Sequence, residues 1–580
     1  MFEQLSNQKT KIIYYSILLL NVIISLLTLL HQFKLPIILN IIGILGILTI
    51  VLDYILIYLF FKIYQYKLRM RIFMKGFYIY SFIAFFVEFL FNFLGYGQIA
   101  INPRTVQNIL LWSYMGIFLY AAALIYTHMN WLNTQSQSQK ASQIELKKDG
   151  EIPKRRKIWL IASITFNSLF LGFGIFVDYS YFFAIHHGMF FFLMGVFCAT
   201  MSLLFALMFT GKTFQIMSCV QQLLKSSKTK SQIIFATVLL GVCISTLSFV
   251  PVLGVSAYAR DAREEFNRAF DPEFGGDWEA QIPITIEKYL KSDYFQVLDY
   301  FIGPDNPDCI VKRDILYFNG SESAFSVDQS ILLYFDAYLP PNNGVGLPGE
   351  NSTLIRIHGG GWTIGDKAEG NIPMMNRYFA SQGYTVFDIQ YGLNNETSLF
   401  SNIPYRPDNV MGNFTIDDML RHIGNFTYYL ADHASEYGAN LDSVFVSGGS
   451  AGGQLTCATA LSLSWKNYTE FTNKFTIKGL IPFYPGNNVT LDFAQSSRPE
   501  WVNPVLLLNA SSPPCLLFQG KQDPLVLQSR AFQDAYFGFG KTDCALITFP
   551  FAGHAADIYF PGFYNQIFLY YMERFLYLYH

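Results

Sequence analysis

The chain has 580 residues and a formal net charge of −2, and this near-neutral total conceals two halves of opposite charge. Residues 1–257 carry 20 Lys and Arg against 7 Asp and Glu, whereas residues 258–580 carry 20 Lys and Arg against 35 Asp and Glu. No Lys- and Arg-rich run is interleaved with aromatic residues, so we expect no nucleic-acid partner.

The first half contains seven long apolar runs. Each is long enough to cross an apolar layer of about 30 Å, which needs about 20 helical residues. Seven in succession predict a multi-span α-helical membrane domain at residues 1–257. The first run lacks a small-residue cleavage site and is too long for a signal-peptide core, so we expect it to be retained. The runs cover residues 12–30, 35–61, 76–95, 107–127, 157–177, 189–210 and 232–256.

The loops between these runs alternate in charge. One set of three loops holds fifteen Lys and Arg residues, and the other set holds two. Basic loops remain in the cytoplasm, so we expect a cytoplasmic N-terminus and a luminal or extracellular C-terminal half. The basic set is 63–75, 128–157 and 212–231, and the other set is 31–34, 96–106 and 178–188.

Eight N-x-Ser/Thr acceptors lie in the second half, and none lies before residue 258. In a eukaryotic host this distribution indicates a glycosylated domain in the endomembrane system or at the plasma membrane. It agrees with the orientation that the loop charges predict. The glycosylation candidates are Asn319, Asn351, Asn395, Asn413, Asn425, Asn467, Asn488 and Asn509.

Two carboxylates, Asp53 and Glu88, lie inside predicted spans. A carboxylate surrounded by lipid is costly, so each needs a partner or a polar cavity. Proton transfer or polar-ligand binding is one interpretation. An interhelical hydrogen bond is the one we favour, and the candidate partners are Asn21, Asn40 and Asn92.

Four cysteines fall in the outer half, where disulfides persist. We expect Cys457 and Cys515 to be buried packing residues. The other two, Cys309 and Cys544, could form a disulfide with each other, and we leave this alternative open.

Residues 258–310 are predicted to form a connector, and residues 311–580 a second domain. From residue 311 onward, short β-rich runs alternate with helical patterns, which predicts a mostly parallel, doubly wound α/β sheet. The aromatic stripe of the last helix is expected to pack in the core. The predicted strands are 311–318, 330–338, 353–357, 384–391, 443–448, 477–483, 514–519 and 544–549. The predicted helices are 370–382, 415–437, 451–465, 525–539 and 561–579.

The most informative stretch is the G-x-S-x-G sequence around Ser450, which follows a predicted strand and opens a predicted helix. Such a turn lifts a nucleophilic serine out of the strand end. The incoming strand and the outgoing helix pass so close together that only glycine fits at Gly448 and Gly452.

A second glycine-rich stretch, His358-Gly-Gly-Gly361, ends another predicted strand. Consecutive glycines let backbone N–H groups approach an anionic oxygen without interference from side chains. Metal binding by His358 is a weaker alternative, because no second ligand has suitable spacing and there is no H-E-x-x-H sequence. We therefore expect no metal.

Asp523 and His554 follow the last two predicted strands. Open α/β sheets gather functional groups at the carboxyl ends of their strands. The chain order of serine, aspartate and histidine is that of the α/β-hydrolases.

These motifs resemble the hormone-sensitive-lipase-like carboxylesterase branch of the α/β-hydrolase superfamily, over about residues 310–580. The short interval between Ser450 and Asp523 is also similar to the isoprenylcysteine methylesterase and kynurenine formamidase-like esterases. Two positions depart from the family pattern. Gln390-Tyr-Gly-Leu-Asn394 replaces Tyr-Arg-Leu-Ala-Pro, and Gly449 replaces the usual Asp before the serine.

The resemblance implies a serine esterase or lipase that needs no cofactor. Ser450 would attack the ester carbonyl, His554 would transfer the proton and Asp523 would orient the histidine. His358 and Gly359 would support a glycine loop whose oxyanion donors are the backbone N–H groups of Gly360, Gly361 and Ala451.

Two other hypotheses stay open. One is a methylesterase of prenylated cysteines, although the substrate of such enzymes is cytoplasmic and the predicted orientation argues against it. The other is a catalytically idle, hydrolase-like binding domain on a seven-span receptor or transporter. The sequence does not indicate an oligomeric state.

The expected partners are the lipid bilayer and a small ester or lipid substrate. The short Ser450-to-Asp523 interval leaves little room for a large cap, so any lid is expected before residue 330 or within 392–414. A small lid near the membrane favours a lipophilic ester, and a soluble ester with the spans as a mere anchor is the alternative.

Overall fold

The structure is a computed structural model of the chain. It describes residues 8–33, 36–63, 68–94, 103–137, 152–183, 199–224, 227–304, 309–395, 406–488 and 491–580.

Within these ranges, seven helical segments are long and apolar enough to cross a membrane, and each overlaps one predicted run. The segment that holds the seventh run extends from Lys228 to Phe274 and comprises two helices. The long helices of the first half are α1 (Gln8–Thr28), α2 (Pro36–Ile63), α3 (Leu68–Leu94), α4 (Pro103–Gln137), α5 (Lys154–Phe183), α6 (Ser202–Leu223) and α7 (Ser227–Leu253).

Helix α6 differs most from its prediction. The predicted run at 189–210 stopped before Lys212, and its first part, 189–198, lies outside the described residues. The helix instead continues past Lys212, whose side chain is buried with its ammonium nitrogen 3.8 Å from the centre of the Phe82 ring. An aromatic face partly replaces the water that a buried cation loses. Packing inside the bundle therefore accommodates a charge that hydropathy alone had assigned to a loop.

The two carboxylates that the sequence placed inside spans, Asp53 and Glu88, are both buried, but they differ in their partners. The Asn21 side-chain amide donates to Asp53 Oδ1 at 3.0 Å, which is the predicted kind of interhelical bond. Neither carboxylate oxygen of Glu88 has a hydrogen-bond partner among the described residues. The Asn92 amide instead donates to the backbone oxygens of Glu88 and Phe301, at 2.9 and 3.2 Å. The predicted interhelical bond is therefore confirmed for Asp53, with Asn21 as its partner, and is wrong for Glu88 among the described residues.

The second half is organised by an eight-stranded sheet with the strand order β1-β2-β4-β3-β7-β8-β9-β10. β2 pairs in antiparallel fashion with β1 and β4, and the other neighbours pair in parallel. Each predicted strand has its counterpart in this sheet. The strands are β1 (Ile310–Asn319), β2 (Leu332–Leu339), β3 (Ser352–Ile357), β4 (Thr385–Ile389), β7 (Asn440–Gly449), β8 (Ile477–Phe483), β9 (Cys515–Gly520) and β10 (Cys544–Phe549).

A small parallel pair lies outside the main sheet, within 392–414, one of the two places where a lid was expected. It consists of β5 (Leu393–Asn394) and β6 (Met411–Gly412). Two residues per strand are too few for an alternating pattern to stand out in the sequence. Residues 396–405 of the same segment lie outside the described residues.

The remaining helices include the five that were predicted for the second half. They are α8 (Val255–Phe274), α9 (Ile284–Glu287), α10 (Val297–Ile302), α11 (Ile372–Ser381), α12 (Ile416–Tyr437), α13 (Ala451–Trp465), α14 (Asp492–Gln495), α15 (Pro499–Val502), α16 (Val526–Gly538) and α17 (Phe563–Tyr579).

Two buried apolar clusters cover the two faces of the sheet. Helices α12, α13 and α16 contribute to one cluster, and α11 and α17 contribute to the other. The aromatic stripe of α17, which includes Phe563, Phe568 and Phe575, is buried as core packing, as predicted. The cluster beneath α17 continues through residues 298–302 into the helix bundle.

The open alternative of a disulfide between Cys309 and Cys544 is not realised, because both residues are free thiols. Cys309 precedes β1 at one edge of the sheet, and Cys544 begins β10 at the opposite edge. The width of eight strands therefore separates them. Cys457 and Cys515 are buried, as expected of packing residues.

Helix α10 is a short wedge between the bundle and the sheet. Tyr300, Phe301 and Ile302 are fully buried. The ring of Phe301 stacks on that of Tyr114 in α4, with the ring centres 4.9 Å apart. The Tyr300 hydroxyl donates to the backbone oxygen of Thr200, two residues before α6, at 2.9 Å. The wedge thereby joins two helices of the bundle to the second half.

Polar contacts surround the wedge. His31 Nε2 lies 3.0 Å from Asp299 Oδ1, and the Asn40 amide donates to Asp293 Oδ2 at 2.9 Å. These contacts come from helix ends that the charge pattern assigned to the same side of the membrane as the C-terminal half. Helices α7 and α8 are separated by Gly254 alone, and the domain boundaries at 257 and 310 remain predictions.

We expect Phe301→Ala to destabilise the junction between the two halves. Removing a buried aromatic ring typically costs about 3–5 kcal/mol, because a cavity remains where the ring packed. The measurement is the Tm of the full-length protein in lipid nanodiscs, together with the rate of proteolysis within 293–304. The control is Phe539→Ala, whose ring is 49% exposed and whose loss should change Tm little. Equal Tm values for the two variants would contradict the role of the wedge.

Candidate active site

Ser450 occupies the turn between β7 and α13. Its φ of 59° and ψ of −119° lie in a region that costs a non-glycine residue about 1–3 kcal/mol. Backbone hydrogen bonds hold it there. The Ser450 N–H donates to the Phe483 carbonyl oxygen at 2.9 Å, and the Ser450 carbonyl oxygen accepts from the Gly486 N–H at 3.1 Å. Ser450 therefore belongs to neither the strand before it nor the helix after it, because its backbone angles fit neither element.

The glycines of this turn admit a close approach of β3. A Cβ on Gly448 would overlap the carbonyl oxygen of Ile357, and a Cβ on Gly452 would overlap the carbonyl oxygens of Ile357 and His358. The end of β3 therefore lies directly against the turn, and this contact brings residues 358–361 beside Ser450.

The structure brings Ser450, His554 and Asp523 together from the loops after three different strands. His554 Nε2 lies 2.8 Å from Ser450 Oγ, and His554 Nδ1 lies 2.9 Å from Asp523 Oδ2. The Asp523 side chain is fully buried, whereas the His554 side chain is 14% exposed. Two hydrogen bonds thus form a continuous line from hydroxyl to imidazole to carboxylate.

The second oxygen of Asp523 is also bound, since Oδ1 accepts from the Leu525 N–H at 2.9 Å. A buried carboxylate accepts but does not donate when ionised, so the proton between Asp523 and His554 is assigned to Nδ1. Nε2 is then free to accept the proton of the Ser450 hydroxyl. This is the tautomer that general-base catalysis requires.

The glycine loop lies beside the serine. A Cβ on Gly359 would lie 3.5 Å from Ser450 Cβ, and Gly360 has a φ of 109°, a conformation that favours glycine. The N–H groups of Gly360, Gly361 and Ala451 donate to no acceptor among the described residues. For Ala451 the reason is its place at the start of α13, where helical N–H groups lack an intrahelical partner.

His358 supports the glycine loop through a hydrogen bond and is itself held by ring stacking. Its ring stacks on Tyr391 with the ring centres 4.4 Å apart, and its Nδ1 lies 2.8 Å from the Gly359 oxygen. Burial lowers the pKa of His358 to about 4, so the imidazole is neutral at pH 7. Its nitrogen therefore serves the loop through a hydrogen bond and carries no charge near the serine.

Sequence reasoning missed two residues beside His554. The ring of Tyr484 lies 4.6 Å from the His554 imidazole, and its hydroxyl donates to Asp557 Oδ1 at 2.7 Å. Burial raises the pKa of Asp557, and the Tyr484 hydroxyl opposes that shift. A signal was present, because Tyr484 follows β8 directly and Asp557 lies three residues after His554.

The departure at Gly449 has a structural reason. A Cβ at this position would lie 2.9 Å from the Tyr484 hydroxyl oxygen. Glycine therefore leaves room for Tyr484 to pack against His554.

Gln390 likewise has a role in the structure. Its amide donates to Asp366 Oδ1 at 2.6 Å, and its oxygen accepts from the Tyr334 N–H at 3.0 Å. It ties the end of β4 to the segment that follows the glycine loop.

All eight glycosylation candidates lie at the surface. Four of them are exposed, and the other four are partly exposed. The exposed set is Asn395, Asn413, Asn467 and Asn488, and the partly exposed set is Asn319, Asn351, Asn425 and Asn509.

Comparison with known proteins identifies relatives of the second half. Residues 335–498 match the family BD-FAE, and this range includes the glycine loop and Ser450 but neither Asp523 nor His554. A probable carboxylic ester hydrolase of Mycobacterium tuberculosis, LipM, is 27% identical over 240 residues, which cover 37% of this chain and 51% of the relative. Esterase LipQ of the same organism is 25% identical over 236 residues, or 36% and 52% of the two chains. The chain thus spans about half the length of the curated relatives it matches.

Solved structures of two esterases also align with the chain. Esterase 2 of Thermogutta terrifontis, phosphorylated by paraoxon, is 24% identical, with 43% of this chain and 85% of that chain covered and a TM-score of 0.33. Esterase B of Lactobacillus rhamnosis, inhibited by a tributyrin phosphonate, is 20% identical, with 43% and 79% covered and a TM-score of 0.33.

The resemblance expected from the motifs is confirmed. The C-terminal half of the chain, with its BD-FAE match at 335–498, is similar to the carboxylesterase-type branch of the α/β-hydrolases.

Proposed function

We propose that this protein is a membrane-anchored serine esterase or lipase that hydrolyses carboxylic esters. The observation that carries the proposal is the hydrogen-bonded line from Ser450 through His554 to Asp523. Similarity to two proteins named as a carboxylic ester hydrolase and an esterase supports the same class of reaction.

The proposed reaction begins with attack of Ser450 Oγ on the ester carbonyl carbon, while His554 Nε2 takes the hydroxyl proton. The Asp523 carboxylate stabilises the imidazolium that forms. When the tetrahedral intermediate collapses, His554 gives the proton to the leaving alcohol, and the acyl group remains on Ser450. Water then repeats the sequence, with His554 again as the base, and releases the carboxylic acid.

The negative charge of the tetrahedral intermediate needs donors that are already oriented. The N–H groups of Gly360, Gly361 and Ala451 are the groups we propose for this role. One such donor is typically worth about 3–4 kcal/mol of barrier, because it binds the oxyanion more strongly than the ground-state carbonyl.

The surface of α1–α7 supports insertion in a membrane. Large apolar side chains point outward from these helices, such as Trp159, Leu169 and Phe235, which are 68%, 70% and 69% exposed. Soluble proteins rarely expose contiguous apolar surface on this scale. With the basic loops in the cytoplasm, the catalytic domain would be luminal or extracellular.

We further propose that the substrate is a lipophilic ester dissolved in the same bilayer. The loop of Asp523 contacts α5 through a hydrogen bond from Gln522 to the Tyr181 oxygen. The loop of His554 contacts α10, because the Tyr559 hydroxyl donates to the Tyr300 oxygen at 2.9 Å. Both loops therefore lie beside helix ends that would reach the bilayer surface. The alternative is an esterase that acts on soluble esters and uses its helices as an anchor.

Loss of the nucleophile tests the reaction. Ser450→Ala removes one oxygen and little volume, so the protein should stay folded and lose all labelling by a fluorophosphonate probe in isolated membranes. His554→Ala should lower kcat on the order of 10⁶-fold, and Asp523→Asn on the order of 10⁴-fold.

The control is Ser464→Ala in α13, whose hydroxyl donates to the Leu461 oxygen and which should label like the unmodified protein. Undiminished labelling of Ser450→Ala would mean that another serine is the nucleophile. Absence of labelling in the unmodified protein would favour the idle binding domain.

The orientation has a separate test. In sealed microsomes, residues 258–580 should resist added protease until detergent opens the membrane, and endoglycosidase should increase the mobility of the protein. A variant with all eight acceptor asparagines changed to glutamine is the control and should show no such increase. Cleavage without detergent, together with no glycan, would reverse the orientation and favour the prenylcysteine methylesterase.

Whether the substrate reaches the site through the bilayer is tested by supplying the ester either in the membrane of the enzyme or in a separate membrane. An acylglycerol in the same vesicles as the enzyme should be hydrolysed faster than the same amount in separate vesicles, because only the first can diffuse laterally to the site. A soluble p-nitrophenyl ester is the control and should react equally in both preparations. Equal rates for the two acylglycerol arrangements would leave the helices as an anchor only.

A further inference from the structure

Gln522, the residue before Asp523, connects three parts of the molecule. Its side-chain amide donates to the backbone oxygen of Tyr181, near the end of α5. Its backbone N–H donates to the oxygen of Ala552 at 3.0 Å, and Ala552 lies two residues before His554. One residue thus links the loop of the acid, the loop of the base and the helix bundle.

The end of α5 is itself held in place by α7. Asp178, one turn before Tyr181, accepts a hydrogen bond from the Ser248 hydroxyl at 2.7 Å, and both side chains are buried. A buried hydrogen bond to a carboxylate resists displacement, because breaking it leaves two polar groups without water. The Tyr181 oxygen therefore offers Gln522 a fixed point of attachment.

Helix α7 also leads to the base side of the site. It passes through Gly254 into α8, where Glu265 Oε1 accepts from the Leu546 N–H at 2.8 Å. Leu546 belongs to β10, and the loop after β10 carries His554. The bundle therefore reaches the acid through α5 and the base through α8.

We infer that Gln522 is a positioning residue, through which the end of α5 sets the placement of Asp523 relative to His554. The inference rests on the proposed function, because it assigns a role within the same triad. Catalytic groups need placement to about 0.5 Å, and the rigid helix end supplies a reference that a loop alone lacks. The helix bundle is then part of the catalytic unit, in addition to holding it at the membrane.

The test compares Gln522 variants of the full-length protein in nanodiscs on a soluble p-nitrophenyl ester, so that lipid access does not enter. Gln522→Met keeps the chain length and removes the donor. We expect kcat to fall about tenfold while KM stays within about twofold, since one neutral hydrogen bond positions the acid and none is made to the substrate. Gln522→Glu should lower kcat further, because its carboxylate would face the Tyr181 oxygen.

A more distant variant tests the route through the bundle. Ser248→Ala removes the bond to Asp178 without touching the sheet, and we expect a smaller fall in kcat in the same direction. Active-site titration with the fluorophosphonate probe normalises every rate to folded enzyme. A loss of stability alone would therefore leave kcat unchanged.

The matched control is Gln382→Met. Gln382 also joins the sheet domain to the connector, since its amide donates to the Tyr289 oxygen at 3.2 Å, but it follows α11 and precedes β4, at the amino ends of the strands. Its loss should lower Tm and leave kcat within about twofold. If Gln522→Met left kcat unchanged, or if Gln382→Met lowered kcat as much as Gln522→Met does, the inference would be overturned. Either result would leave the triad standing, whereas full activity of Ser450→Ala would remove the proposed function itself.

Discussion

Burial of α10 between the helix bundle and the sheet is the constraint on which the rest of the structure depends. Tyr300, Phe301 and Ile302 are fully buried, and the apolar core runs through them from the bundle to the layer beneath α17. Separating the two halves would expose this surface at a cost of about 25 cal/mol per Å². Small, polar domain interfaces permit relative motion, and an apolar wedge of this kind opposes it. The loops that carry Asp523 and His554 are therefore held beside one set of helix ends.

Polar contacts around the wedge add direction to this apolar attachment. The His31–Asp299 and Asn40–Asp293 pairs join the bundle to the connector, and the Gln522 amide joins it to the loop of the proposed acid. Apolar contacts are favourable in many orientations, whereas buried hydrogen bonds are favourable only in a few. The wedge thus attaches the two halves through apolar burial, and these side chains restrict the geometry of the attachment.

The site itself combines strain with close packing. The strained backbone at Ser450 persists because the end of β3 packs against the turn, while β8, the residues after it and α13 satisfy its hydrogen bonds. Each proposed catalytic side chain comes from the loop after a different strand, so the parallel sheet sets their separations. The glycine at 449, where the family pattern has Asp, is explained by its neighbour Tyr484. The tyrosine hydroxyl lies where a side chain at position 449 would begin.

The amino-acid sequence by itself determined the features that depend on local pattern. Hydropathy identified the apolar helices, and β-rich runs that alternate with helical patterns identified the eight strands of the main sheet. The glycine spacing identified residues 448–452. Each of these signals lies within a short stretch of the chain. Tertiary structure alone decided the features that join distant segments, such as the burial of Lys212 in α6, the Asn21–Asp53 pair, the separation of Cys309 from Cys544 and the contact of Gln522 with α5. The reason is physical: a local period follows from the backbone of one element, whereas a contact between remote residues depends on how every intervening element packs.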